Sequence, residues 1–148
     1  MKKTLISLSI AAFTLSFAGA SMAQSMAAKD DQLSKAFGEK VGLVALMDDF
    51  MTRLLADERT GPHFKPANQQ RVKEQLVEQL CALGGGPCVY KGADMKSSHA
   101  NLEIKKSDFH ALVEVLQSSM DAKGIASRKQ NEMLALLAPM HRDIITPK

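Results

Sequence analysis

The chain has 148 residues, with 19 Lys or Arg against 16 Asp or Glu, a formal charge of +3, and two cysteines. That length allows one domain around one core. The charge balance gives no electrostatic reason to expect nucleic acid or an anionic membrane as partner.

In chain order, residues 1–23 read as a secretory leader. Lys2 and Lys3 make a basic start, Leu5 to Ala20 an apolar run, and Ser21-Met22-Ala23 offers small residues where signal peptidase reads. A membrane anchor is the competing reading, and the cleavage site favours export. Cleavage after Ala23 removes two lysines and no acid, so the mature chain carries +1 and is expected in the periplasm, with no membrane attachment. Residues 24–33 are small and polar and read as a flexible tail. Residues 34–148 form the expected folded domain.

From there the pattern is helical. Leu43, Met47, Phe50 and Leu54 share one face, which stops at the turn-rich "DERTGPHFKP". Val72, Leu76, Leu80 and Leu83 share the next, closed by Gly84 to Gly86 and Pro87. In "DMKSSHANLEI" Asp94 is a natural N-cap, and Met95, His99 and Leu102 fall on one face of a short helix. Ser107 then opens a helix with Phe109, Leu112, Val113, Leu116 and Met120 inward, ending near Gly124. Ser127 and Gln130 have capping-box spacing ahead of Met133, Leu134, Leu137 and Met140, and Pro139 bends or closes that last helix. No period-two run of β-branched residues and no internal repeat interrupts this, so the class is all-α.

Cys81 and Cys88 flank the glycine turn and could form a disulfide in an oxidising compartment or remain two thiols. Closing so short a loop would stabilise by about 2–3 kcal/mol at most. There is no C-x-x-C-H for covalent haem attachment, and no H-E-x-x-H, G-x-S-x-G, P-loop or G-x-G-x-x-G. Taken alone, His99 on an apolar face reads first as a packed core histidine.

The segments "VALMDDFMTRLLADERTGPHF", "ALGGGPCVYKGADMKSSHANLEIKKSDF" and "LLAPMHRDII" together resemble the truncated haemoglobins, specifically group I (the N type), across residues 34 to 145. The resemblance implies a truncated globin, a two-over-two helical sandwich around a non-covalent b-type haem (haem b). It assigns His99 as the proximal metal ligand. It assigns Phe64 to the ring stacked on the porphyrin, and places Tyr90, Met95, Ile104, Phe109, Leu116 and Leu137 along the haem pocket. Each of these also suits an ordinary apolar core. His63, His110 and His141 match no liganding position and default to the surface.

Where the family usually has a distal tyrosine after the Phe of "DDF", this chain has Met51, whose thioether donates no hydrogen bond. The facing distal positions are Val72 and Leu76, both apolar. Gln75 and Gln79 either swing an amide inward or face solvent. Met51 could serve as a sulfur ligand or as a gap filler. The family's paired glycines after the first helix become Gly38 and Glu39.

The expected partner is a diatomic gas: oxygen, nitric oxide or carbon monoxide. The apolar distal side weakens the case for nitric oxide dioxygenation, the activity most often tied to the family, and favours nitric oxide handling or redox sensing, served by an unidentified reductase. The chain is expected to be a monomer, and whether it is an enzyme stays open. The rival reading is a haem-free helical module binding copper or a partner protein through methionines, with Met47 and Met51 one turn apart.

Overall fold

The structure is a computed structural model that describes residues 30–146. The leader assigned to residues 1–23 and the tail as far as residue 29 lie outside the described residues. All regular structure among the described residues is helical: α1 (Gln32–Ala36), α2 (Glu39–Ala56), α3 (Gly61–Phe64), α4 (Gln69–Leu83), α5 (Met95–Ser98), α6 (Lys106–Ala122), α7 (Ser127–Leu137), a 3-10 turn (Ala138–Met140) and α8 (His141–Ile144).

Helix α2 is the central element, packed on both α4 and α6, while α7 closes against α4 and α6. The two pairs, α2 with α4 and α6 with α7, form a two-over-two sandwich. Its core joins Leu43, Leu46, Met47, Phe50 and Leu54 of α2 to Val77, Leu80 and Cys81 of α4, Val115, Leu116 and Met120 of α6, and Met133 of α7. The expected stripe on α2 is therefore fully inward. On α4 the stripe is rotated: Val77, Leu80 and Cys81 are buried, whereas Val72, Leu76 and Leu83 are half-buried.

Several boundaries differ from the sequence reading, each for a local reason. Helix α1 begins at Gln32, inside the segment read as tail, because Leu33 packs on the core and Ser34 N donates to Gly84 O at 2.9 Å. Helix α5 stops at Ser98, so His99 is its C-cap, and Leu102 is 47% exposed instead of sharing a buried stripe. The left-handed backbone of Asn101 (φ 64°) and Glu103 (φ 52°) turns the chain away before a further helical turn can form. Helix α6 begins at Lys106, where Asp108 Oδ2 accepts from Lys105 N at 2.9 Å.

Ser127 is not the cap of α7; Ala126 is, and Gln130 turns inward. Its Nε2 donates to Asp121 Oδ1 at 2.7 Å and to Ile125 O at 2.8 Å, tying the α6–α7 turn. A side chain with closer acceptors across a turn does not reach back to its own N-cap. Pro139 ends α7 in the 3-10 turn that hands the chain to α8. Cys81 and Cys88 are joined in a disulfide with a Cα–Cα distance of 5.7 Å, linking the last turn of α4 to the approach to α5.

Candidate functional site

Helix α5 is four residues long, too short to hold itself in water, and local bonds fix it. Asp94 Oδ1 accepts from Ser97 N at 2.8 Å and its Oδ2 from Ser97 Oγ at 2.7 Å. Those bonds, the Ser97 hydroxyl first, hold the Asp94 carboxyl below the usual carboxylate range. Ser98 Oγ donates to Asp94 O at 2.7 Å.

His99 follows at the C-cap, half-buried, with Nδ1 2.8 Å from Met95 O and 3.1 Å from Ser98 Oγ. A carbonyl oxygen only accepts, so this contact calls for a proton on Nδ1, which in the neutral ring leaves the lone pair on Nε2. The ring is thus held in the tautomer that can donate Nε2 to a metal ion, with its other nitrogen anchored to backbone in the manner of ligating histidines.

Across from α5, the two glutamines of α4 behave differently from solvent-facing residues. Gln79 is 7% exposed, and its Nε2 lies 3.4 Å from Met140 Sδ and 3.8 Å from Met95 Sδ. Gln75 is half-buried, with its Oε1 against Gly92, where a Cβ would overlap it. Both amides are thus directed at the segment that leads into α5 and its first residue. The burial of Gln79 was not readable from periodicity alone; its position between Val77 and Leu80 on the buried face of α4 was the available signal.

The remaining predicted residues fall into distinct surroundings. Leu116 lies in the main core, and Phe64, Leu76 and Leu137 pack against it. Tyr90 is half-buried, its hydroxyl donates to Ala93 O at 2.8 Å, and burial raises its phenol pKa. Ile104 is buried beside the C-terminal segment, its carbonyl accepting from Thr146 N at 3.2 Å. Phe109 is half-buried with its ring centroid 6.3 Å from that of His141. Val72 is half-buried on α4.

Met51 is 4% exposed and lines a cleft of about 360 Å³ between α2 and α4, together with Asp48, Leu55 and Lys73. A neighbouring cleft of about 300 Å³ is floored by Met47 and Val77. The Asp48–Lys73 ion pair, 2.6 Å, stands at both. His99, Met95, Tyr90 and Phe64 line neither cleft. Met47 itself is 1% exposed inside the main core, so the two thioethers do not stand together as an accessible pair. Among the described residues no group of three or more His, Cys, Asp or Glu side chains is placed to hold a metal ion.

The other histidines are only partly where expected. His110 and His141 are exposed, with His141 Nδ1 2.8 Å from Ala138 O. His63 is half-buried rather than on the surface, because its position in α3 brings Nε2 to 3.6 Å from Asp108 Oδ2 at the start of α6.

A small helical sandwich with one histidine held at the end of a short helix is an architecture of the globin class. The family model for bacterial-like globins matches residues 32–146. A group 1 truncated hemoglobin of Mycolicibacterium paratuberculosis is 33% identical over 109 residues, covering 74% of this chain and 80% of its own. A group 1 truncated hemoglobin of Tetrahymena thermophila is 26% identical over 117 residues, covering 79% and 97%. The truncated hemoglobin of Tetrahymena pyriformis, solved in an Fe(III) form, superposes with a TM-score of 0.74 at 25% identity, covering 78% of this chain and 98% of that one. The chain belongs to the bacterial-like globin family, and its fold is that of a truncated globin.

Proposed function

We propose that this chain is an exported haem protein that binds a diatomic gas at the iron of a haem that His99 would hold. The observation that carries the reading is the 2.8 Å contact of His99 Nδ1 with Met95 O, which fixes the tautomer with Nε2 free. A single imidazole nitrogen, in a chain whose described residues place no group of three or more His, Cys, Asp or Glu for a protein-only metal site, is a donor set suited to an iron whose other ligands come from a macrocycle. The similar proteins named above, hemoglobins by description, support the same choice.

His99 would hold the group from one side, and Phe64, Tyr90, Met95, Ile104, Phe109, Leu116 and Leu137 would surround it as apolar wall, without covalent attachment (haem b). When bound, haem would supply an iron centre able to take oxygen, nitric oxide or carbon monoxide. The chain's contribution on the distal side is Met51, Val72 and Leu76, none of which donates a hydrogen bond. Gln75 and Gln79 do not make up the deficit, since they face Gly92 and the Met95–Met140 pair.

Met51, Val72 and Leu76 would stabilise no charge on the gas, so nitric oxide handling or redox sensing suits the chain better than oxygen storage. Turnover would need electrons from a reductase. Export from residues 1–23 to an oxidising compartment is supported by the Cys81–Cys88 disulfide.

The test is absorption spectroscopy of the ferric, ferrous and carbon-monoxide forms of protein expressed with ample haem. An intense Soret band that His99→Ala abolishes or strongly alters is the expected result. A colourless wild type ends the proposal.

A further inference from the structure

Among the buried residues of α4, Val77, Gln79, Leu80 and Cys81, Gln79 alone carries a polar functional group capable of two N–H donations. Its amide is 7% exposed, and its Nε2 reaches two sulfurs on two different elements, Met95 Sδ at the start of α5 and Met140 Sδ at the end of the 3-10 turn. Thioethers are weak acceptors, and a leucine would occupy such a place without burying an amide. What the amide adds is direction: one nitrogen holds both sulfurs in place against α4.

Met95 is where this matters. Its carbonyl oxygen accepts from the His99 backbone N–H at 3.1 Å and faces His99 Nδ1 at 2.8 Å. A four-residue helix cannot fix that carbonyl by its own hydrogen bonds. Its orientation depends on the Asp94 cap, on the contact of α5 with α8, and on what grips Met95.

We propose that Gln79 is a positioning residue for His99, clamping Met95 so that its carbonyl holds the imidazole in the Nδ1–H form with Nε2 presented. Gln75, four residues earlier on α4, braces the approach through Gly92. The consequence for haem retention rests on the reading of His99 as the axial ligand; the consequence for the ring itself does not.

The experiment therefore has a readout without haem. In the apo-protein, imidazole ¹⁵N shifts of His99 are expected to report the Nδ1–H tautomer, and Gln79→Leu to move the population toward the Nε2–H form. In the holo-protein, Gln79→Leu is expected to lower the ferrous iron–imidazole stretching frequency and raise the haem dissociation rate about tenfold, the usual effect of losing an outer-sphere partner. Should Gln79→Leu fail to fold by circular dichroism, Met95→Leu removes the sulfur while keeping the backbone carbonyl and tests the same clamp. Unchanged ¹⁵N shifts in a folded variant overturn the proposal. Shifts that respond as expected in a wild type that binds no haem sustain the clamp while removing the haem reading.

Discussion

At the scale of single residues, backbone conformation makes the sharpest demand at the start of α2. Gly38 (φ 73°) and Glu39 (φ 55°) both lie in the left-handed region, which costs a side chain with a Cβ about 1–2 kcal/mol. Replacing Glu39→Gly should therefore stabilise the protein by about 0.5–1 kcal/mol, the gain offset in part by unfolded-chain entropy. One turn on, a Cβ at Gly42 would overlap the Phe37 carbonyl oxygen, so Gly42→Ala should destabilise by about 1–3 kcal/mol. Urea midpoints of the two variants should move in opposite directions. A second residue-scale expectation concerns acid. Asp57 accepts from the Arg59 side chain at 2.9 Å and from its backbone N–H at 2.8 Å, which lowers its pKa from 3.8 to about 2. A lowered folded pKa means a contribution present above the ordinary value and lost as pH falls toward 2. Stability measured from pH 5 to pH 2 should fall less steeply in Asp57→Asn than in the wild type.

At the scale of elements, long amphipathic stripes were legible and short irregular segments were not. Leu43, Met47, Phe50 and Leu54 announce α2 because an 18-residue helix must bury one continuous face. For α5 the Asp94 cap was a true signal and the spacing of Met95, His99 and Leu102 a misleading one, because the helix stops at Ser98 and left-handed residues at Asn101 and Glu103, which no periodicity encodes, turn the chain away. Gln130 illustrates the same limit: its spacing from Ser127 suits a capping box, yet acceptors on Asp121 and Ile125 across the turn take its amide. Between α4 and α5 lies a connection without regular structure, and the Cys81–Cys88 disulfide is its covalent brace. Removing it, by Cys81→Ala with Cys88→Ala, should lower stability by about 2–3 kcal/mol in the chain-entropy model. On the proposed reading of His99, the same double variant should lose haem faster than wild type, since the freed connection carries α5 and His99. Equal unfolding midpoints for variant and wild type would show that the glycine turn holds the connection unaided.

At the scale of the whole molecule, the sandwich could be read from motif order, whereas the ending of α5 before His99 and the direction of the polar side chains around it could not. Periodicity assigns a residue to a face of its helix; it does not say which of two neighbouring elements that face meets, and for Gln75 and Gln79 this was the question. Their orientation toward Gly92, Met95 and Met140 takes these two amides away from Met51, whose cleft between α2 and α4 is lined instead by Thr52, Gln69, Gln70 and Lys73. On the proposed reading, the atom type at position 51 is one determinant of ligand preference that a single substitution can change. Met51 borders a cleft of about 360 Å³, so a larger ring has room to enter there. Met51→Tyr supplies a hydroxyl, and a hydrogen bond to a charged acceptor is worth about 1.5–3 kcal/mol, or roughly ten- to a hundredfold in a rate. Oxygen dissociation from the variant should slow by that factor in stopped-flow measurements. Carbon monoxide, which develops far less charge, should change much less, and it is the split between the two gases that tests the argument. Parallel changes in both rates would mean that the substitution alters access to the site and not the polarity around the gas.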